Sequence, residues 1–267
     1  MKKLATYKNY QIAYQIEGKG ATLVLLHGFG EDNRIWRKVY ASLVNAYQVI
    51  SIDTPGTGGS TLFKDSEASL EEYAKSFLQV LDQENIGQAV ILGHSMGGYI
   101  TLAFAELFPD RLKGFGLLHS TAFADSEEKK EVRSRGIQLM KEYAAFSFLK
   151  TTLPNLFAPE NRQSSNTDLA EQIEWAEALD TDACIQYYAV MRERIDRSQI
   201  LAQANVPILF ILGLHDVAAP YNDLLQQVNL PAIAHVTLLH NTGHMGMLEE
   251  VEPFLQGIYD YMNSITK

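Results

Sequence analysis

Gly93-His94-Ser95-Met96-Gly97-Gly98 follows the apolar run Ala89-Val90-Ile91-Leu92 and opens a segment with helical periodicity. The pattern is G-x-S-x-G in a strand–turn–helix setting. A serine on so tight a turn projects its hydroxyl outward, and glycines two residues to either side let neighbouring chain pack closely. Tyr99, Ile100, Ala103, Phe104 and Leu107 keep three-and-four spacing until Pro109 ends the helix. Ser95 is the leading candidate nucleophile, and the segment around it predicts alternating strands and helices.

Working outward, Leu23-Val24-Leu25-Leu26, Val49-Ile50-Ser51-Ile52, Phe115-Gly116-Leu117-Leu118 and Ile208-Leu209-Phe210-Ile211-Leu212 repeat the strand signal, with Val236-Thr237-Leu238-Leu239 a weaker last case. Runs apolar throughout suit strands buried on both faces, hence a parallel sheet covered by helices. Helices are predicted at Trp36 to Ala46, after the capping box Ser69-Leu70-Glu71-Glu72 that leads Tyr73, Phe77 and Leu81, and at Pro253 to Ile265. Tyr10 to Ile16 alternates apolar and polar positions, which predicts an opening antiparallel hairpin closed near Lys8-Asn9. The predicted fold is α/β: a doubly wound, mostly parallel sheet of about eight strands with helices on both faces.

The alternation breaks from Ser120 to Leu201, where several helices are predicted, with loops at Pro154 and at Pro159 to Asn166. This divides the chain into a core of residues 1–119 and 202–267 and a helical insertion of residues 120–201 over one end of the sheet. Asp125 to Arg135 balances acids against bases and reads as a solvated helix face. Phe146, Phe148, Phe157, Trp175, Tyr187 and Tyr188 supply aromatic surface, and Arg192, Arg194 and Arg197 could clamp a substrate carboxylate. Solvated helix arginines are the plainer reading of those three.

A net charge of −10 with no Lys/Arg stripe excludes nucleic acid as a partner and disfavours anionic membranes. The single cysteine, Cys184, excludes an internal disulfide, and with no glycine turn around it reads as a buried thiol. No apolar stretch follows Met1-Lys2-Lys3 and no run reaches membrane-span length, so a cytoplasmic protein is expected. The histidines lack metal-ligand spacing, and Pro55-Gly56-Thr57-Gly58-Gly59-Ser60 lacks the lysine of a phosphate loop. Neither metal nor cofactor is expected, and the expected partner is a small-molecule substrate.

A serine hydroxyl needs a general base, itself oriented by an acid. In a doubly wound sheet such partners belong just past the carboxyl ends of strands. Asp216 follows the run that ends at Leu212, and His244 follows Val236 to Leu239 through Asn241-Thr242-Gly243. Each has a plainer reading: Asp216 as a turn former, His244 as one of seven histidines, with His240 a competitor nearer the strand. Jointly they support one another in the order Ser95, Asp216, His244. His27-Gly28-Phe29-Gly30 offers the backbone amide of Phe29 to an oxyanion, with the amide of Met96 as second donor, while His27 itself reads as a loop brace.

These motifs resemble the α/β-hydrolase superfamily over nearly the whole chain. Besides Gly-His-Ser-Met-Gly-Gly, the resemblance rests on His27-Gly28-Phe29-Gly30, on Asp53-Thr54-Pro55-Gly56-Thr57-Gly58-Gly59-Ser60, on Gly213-Leu214-His215-Asp216 with Pro220, and on Gly243-His244-Met245 with Leu248-Glu249-Glu250. It implies that residues 120–201 form a helical lid and that Asp53 and Ser60 structure their loop. Thr57, where His or Tyr is frequent, and Val217-Ala218-Ala219 before Pro220 depart from the commonest pattern. The implied activity is serine hydrolysis of an ester-type bond in a small apolar or aromatic substrate, through an acyl-enzyme. Carbon–carbon bond hydrolysis or lysis, acyl transfer on the same triad, and ligand binding without catalysis are the alternatives.

Overall fold

The central strands form where the sequence is apolar. In the computed structural model the strands are β1 (Lys2–Tyr7), β2 (Tyr10–Glu17), β3 (Thr22–Leu26), β4 (Gln48–Ile52), β5 (Ala89–His94), β6 (Leu112–Leu118), β7 (Ile208–Gly213) and β8 (Ala234–Leu239). The structure describes residues 2–163 and 166–265; Met1, Ser164 and Ser165 (inside the loop expected at Pro159 to Asn166), Thr266 and Lys267 lie outside the described residues. The strands make one sheet in the order β1-β2-β4-β3-β5-β6-β7-β8. β1 and β2 run antiparallel, as do β2 and β4, and the remaining neighbours are parallel. Tyr7 pairs with Tyr10, so the opening hairpin turns at Lys8-Asn9 as expected.

The helices are α1 (Arg37–Ala46), α2 (Leu70–Gln83), α3 (Met96–Leu107), α4 (Glu127–Thr152), α5 (Thr167–Ala176), α6 (Thr181–Arg192), α7 (Ser198–Gln203), α8 (Tyr221–Gln227), α9 (Gly246–Glu249) and α10 (Val251–Ile265). Two separate cores explain why the central strands are apolar at every position. Leu23 and Leu25 of β3 enter the core shared with α1 and α10, while Val24 and Leu26 enter the one shared with α2 and α3. Each fully buried Leu, Ile or Phe contributes about 1.5–3 kcal/mol, so alternate residues on both faces are under the same pressure to be apolar.

Helix starts depart from expectation in instructive ways. The chain enters α1 through a 3-10 turn at Asn33–Trp36, whose cap Asp32 accepts the Arg34 N–H. Only half of the capping box forms: Ser69 Oγ accepts the Glu72 N–H at 3.1 Å. The Glu72 carboxylate turns instead to the Tyr7 hydroxyl at 2.8 Å and to Lys8 and Lys75, fastening the opening hairpin to α2. α10 begins at Val251, which leaves Pro253 in the first turn, where no N–H is required.

Between β6 and β7 the described residues contain helices and no strand. Ala144, at φ 63°, breaks α4 into two helical stretches. This segment lies over the carboxyl ends of the strands: Leu149 packs on Gly30, Ala183 and Tyr187 pack on Gly56, and the Leu156 carbonyl accepts the His244 N–H at 2.6 Å. Among the described residues no helix is long and apolar enough to cross a membrane.

Candidate active site

Ser95 stands between β5 and α3 at φ 51°, ψ −116°, a region that costs a non-glycine residue about 1–3 kcal/mol. The surroundings hold it there. Its N–H donates to Leu118 O at 3.0 Å, and its carbonyl accepts the Gly98 N–H at 2.9 Å and the Ser120 hydroxyl at 2.7 Å. The flanking glycines are required by close approach: a methyl group at Gly93 would sit 2.2 Å from the Gly97 carbonyl oxygen, and one at Gly97 would sit 2.4 Å from that of Leu26. Alanine in place of a helical glycine is ordinarily favourable by about 1 kcal/mol. Here the backbone clash outweighs that gain. Gly97→Ala is expected to lower Tm by about 5 °C in thermal unfolding, and an unchanged or raised Tm would contradict this packing.

Beside this turn, three histidines surround two buried carboxylates, and each histidine's partners dictate its protonation. His244 Nδ1 donates to Asp216 Oδ2 at 2.8 Å, which leaves the Nε2 lone pair free. Asp216 Oδ1 meanwhile accepts the N–H groups of Ala218 at 2.9 Å and Ala219 at 2.8 Å. The turn-former and acid readings of Asp216 are thus divided between its two oxygens. Burial opposes charge on this carboxyl, but His244 and the donors of His119 and His244 prevail and hold it well below the usual carboxylate range.

His119, next after β6 and at φ 50°, donates Nδ1–H to the same Oδ2 at 3.2 Å. Among the described residues its buried Nε2 meets no partner, which fits a neutral ring. Burial pushes its pKa down to about 4 despite Asp216. His94 is the opposite case. Its Nδ1 faces Glu31 Oε2 at 3.0 Å and its Nε2 faces the His244 carbonyl at 2.9 Å. Two acceptors require two donors, so this ring is an imidazolium. Burial works against both charges, yet Glu31 raises the His94 pKa and His94 lowers that of Glu31. Glu31 Oε2 also accepts the Gly28 N–H at 2.7 Å, so one buried ion pair ties the residue 27–31 loop, the Ser95 turn and the His244 loop together.

The His94 and His244 rings are 4.9 Å apart, which places the candidate base beside the turn that carries Ser95. Loop 27–30 abuts the same turn: a methyl group at Gly28 would lie 3.0 Å from the Ser95 Cβ. Among the described residues, neither the Phe29 nor the Met96 amide meets a protein acceptor. His27 braces the loop as expected, with Nδ1–H donating to Gly28 O at 2.9 Å and Nε2 accepting the Thr54 N–H at 3.0 Å. Thr57 reaches His27 Nε2 at 3.1 Å, and Ser60 Oγ donates to Asp53 O at 2.6 Å, so this loop's polar residues serve its shape. His240 is exposed at the end of β8. The Cys184 thiol is buried, its pKa pushed up to about 12 by that burial. The group of possible metal ligands found among the described residues is His119, Asp216 and His244, and two imidazole donors on one carboxylate oxygen account for it.

The plainer reading of Arg192, Arg194 and Arg197 as solvated helix arginines fails for Arg194 and Arg197, which are buried, and the carboxylate clamp weighed beside it is opposed by the protein acceptors that all three hold. Arg197 pairs with Glu71 and, at 2.9 Å, with Glu106. Arg194 pairs with Asp125 at 2.7 Å, and Arg192 with Glu193 at 2.8 Å. Nor is Asp125 to Arg135 wholly a solvated face: Asp125 is buried and Arg133 turns inward with Gly136 and Met140 at helical spacing. Charge balance along a segment does not say which turn of the helix faces the core. Of the aromatic residues, Tyr188 lies tilted 4.4 Å from Phe29 and edge-on 5.4 Å from Phe148, forming a wall beside the residue 27–30 loop. Trp175 stands apart, under Arg34 and Arg37.

Glu31, His94 and His119 were not singled out by the sequence as parts of this site. His119 had a usable signal, since it directly follows an apolar strand run at the end of the sheet where ligands bind. Glu31 had none.

Residues 21–251 match the family described as alpha/beta hydrolase fold. The dihydrolipoyllysine-residue acetyltransferase component of the acetoin cleaving system of Pseudomonas putida is 27% identical over 255 residues, 93% of this chain and 65% of that protein. An uncharacterized protein of Mycobacterium tuberculosis is 34% identical over 110 residues, 40% of this chain and 32% of that protein. The chain therefore spans less than two thirds of the length of these curated relatives. Among solved structures, a thermophilic esterase from Thermogutta terrifontis superposes with a TM-score of 0.93 at 23% identity, covering 100% of both chains. The enol-lactonase from Burkholderia xenovorans LB400 gives 0.90 at 23% identity, covering 98% of this chain and 100% of that one. At such identities these likenesses speak for the fold.

Proposed function

The chain belongs to the α/β hydrolase fold family, and from that premise we propose that it cleaves an ester-type bond of a small molecule by acyl transfer through Ser95. His244 Nε2 takes the Ser95 proton as Oγ attacks the carbonyl carbon. The carbonyl oxygen gathers negative charge against the amides of Phe29 and Met96, the latter opening α3 where the helix dipole adds to the attraction. Asp216 keeps His244 in the Nδ1–H tautomer and balances its charge. His244 then gives its proton to the leaving alkoxide, and a water activated by the same nitrogen frees the acid.

The observation that carries this reading is the 2.8 Å bond from His244 Nδ1 to buried Asp216, with Nε2 left as a bare lone pair beside a strained serine. A ligand-binding protein has no use for such an arrangement. The wall of Phe29, Tyr188 and Phe148 favours an apolar or aromatic group on the substrate, and α4 to α6 would act as a lid over it.

The test is pre-steady-state hydrolysis of p-nitrophenyl esters from acetyl to dodecanoyl. A burst of about one nitrophenolate per enzyme, followed by slower turnover, is expected. If no member of the series gives a burst or turnover, ester hydrolysis is wrong and carbon–carbon cleavage or ligand binding takes its place.

A further inference from the structure

Two guanidinium groups share one buried carboxylate on the inner side of the insertion. Asp125 Oδ2 accepts a hydrogen bond from Arg133 Nε, and Arg194 Nη2 forms an ion pair with Oδ1 at 2.7 Å. Two cations against one anion leave a positive charge in excess. Arg194 uses its other donors on the carbonyls of Phe123 and Met191, both at 3.1 Å. Arg133 does not. Beyond Asp125 its terminal nitrogens reach no acceptor among the described residues, and its side chain keeps 17% of its exposure. Neighbouring acids are already engaged, Glu127 with Lys130 and Glu193 with Arg192.

The location connects this unused fork to the site. On the inner face of α4, Gly136 leaves room for the Tyr188 ring, and the Arg133 guanidinium lies 5.2 Å from the centre of that ring. Tyr188 in turn packs on Phe29 of the loop that abuts Ser95. Arg194, across Asp125, lies 4.1 Å over Tyr99, one helical turn beyond Ser95 on α3. A planar guanidinium withdrawn from bulk water, with donors to spare, matches a carboxylate in shape and in charge.

We propose that Arg133 is a carboxylate-binding residue of the substrate site, and that the substrate is an ester or lactone bearing a second, free carboxylate. This rests on the hydrolase reading above. Arg194 has all three nitrogens at protein acceptors, Arg197 is held between Glu71 and Glu106, and Arg192 is held by Glu193 and Ser134, whereas both terminal nitrogens of Arg133 meet no acceptor among the described residues.

The experiment compares monomethyl adipate, which is anionic, with dimethyl adipate, its neutral match, in the wild type, Arg133→Gln and Arg133→Lys. The wild type is expected to favour the monoester by about 10-fold or more in kcat/KM, mostly through KM. The preference should fall to within threefold in Arg133→Gln and be partly kept in Arg133→Lys. A wild-type ratio near one, or a full preference retained in Arg133→Gln, overturns the proposal. Should Arg133→Gln fail to fold, the wild type alone decides: adipate must inhibit dimethyl adipate hydrolysis competitively where adipamide does not, and equal inhibition overturns it. If the wild type cleaves neither ester, the p-nitrophenyl ester series alone decides the hydrolase reading, and Arg133 is judged by binding. Adipate should then raise the Tm of the wild type, and that of Arg133→Lys by less, and a shift in neither or in both equally refutes the site.

Discussion

Ser95→Ala is expected to lower kcat by about six orders of magnitude, and Asp216→Asn by about four, each with the fold intact. The expected serine effect follows from losing the atom that, in the proposed mechanism, becomes covalently bonded to substrate. The asparagine result follows from how Asp216 is held. Its Oδ1 accepts two backbone N–H groups, from Ala218 and Ala219, and only an oxygen can stay there. An asparagine therefore keeps its carbonyl on the turn and directs its NH2 toward the position where Oδ2 had accepted His244 and His119. Both rings must then present a bare Nδ1, which puts the His244 proton on Nε2 and removes the general base. Steady-state kinetics on whichever p-nitrophenyl ester the wild type prefers, with circular dichroism as the control for folding, measures both variants. Turnover of Asp216→Asn within a few-fold of wild type would remove Asp216 from the mechanism.

Glu31→Gln is expected to destabilise the protein by about 3–5 kcal/mol, because it leaves the His94 imidazolium buried without its counter-charge. In a chain of this size that corresponds to a Tm lower by about 6–20 °C. The pH dependence has a definite sign. Glu31 has a pKa lowered from 4.5 in the folded state, so its stabilisation is complete above 4.5 and is lost as pH falls through the folded value. His94 has a pKa raised from 6.5, so its stabilisation is complete below 6.5 and is lost as pH rises through the folded value. Both are complete together between pH 4.5 and 6.5, and the wild-type advantage over Glu31→Gln peaks in that window. Thermal unfolding of the two proteins from pH 4 to 9 reads this out, and a difference that does not vary with pH would mean that the pair is not charged.

Much of this was legible before any coordinates. Apolar runs mark six of the eight strands; for the five central ones this follows from being covered on both faces, whereas β8, the weakest run, is half exposed. The opening hairpin showed by its alternation, and the Ser95 turn by its glycines, which the close carbonyl contacts at Gly93 and Gly97 require. Less legible were groups whose partners come from far along the chain. Glu72 looked like half of a capping box and instead serves Tyr7, Lys8 and Lys75. Asp125 and Arg133 looked like a solvated face and instead lie against the inner wall of the insertion.

What the sequence by itself determined is the set of local conformations and the order Ser95, Asp216, His244 at three strand ends. Apolar periodicity and turn chemistry act over a few residues and sum along a segment, so they survive being read in one dimension. Only the tertiary structure decided the protonation and pairing of the polar groups. Glu31 meets His94 across 63 positions and Arg197 meets Glu71 across 126. It also decided that His94 is charged and His119 neutral, and that every nitrogen of the Arg194 guanidinium meets an acceptor while the terminal nitrogens of Arg133 meet none among the described residues. Those outcomes depend on ångström-scale distances and on the loss of water around each group, and neither quantity exists until the chain has folded.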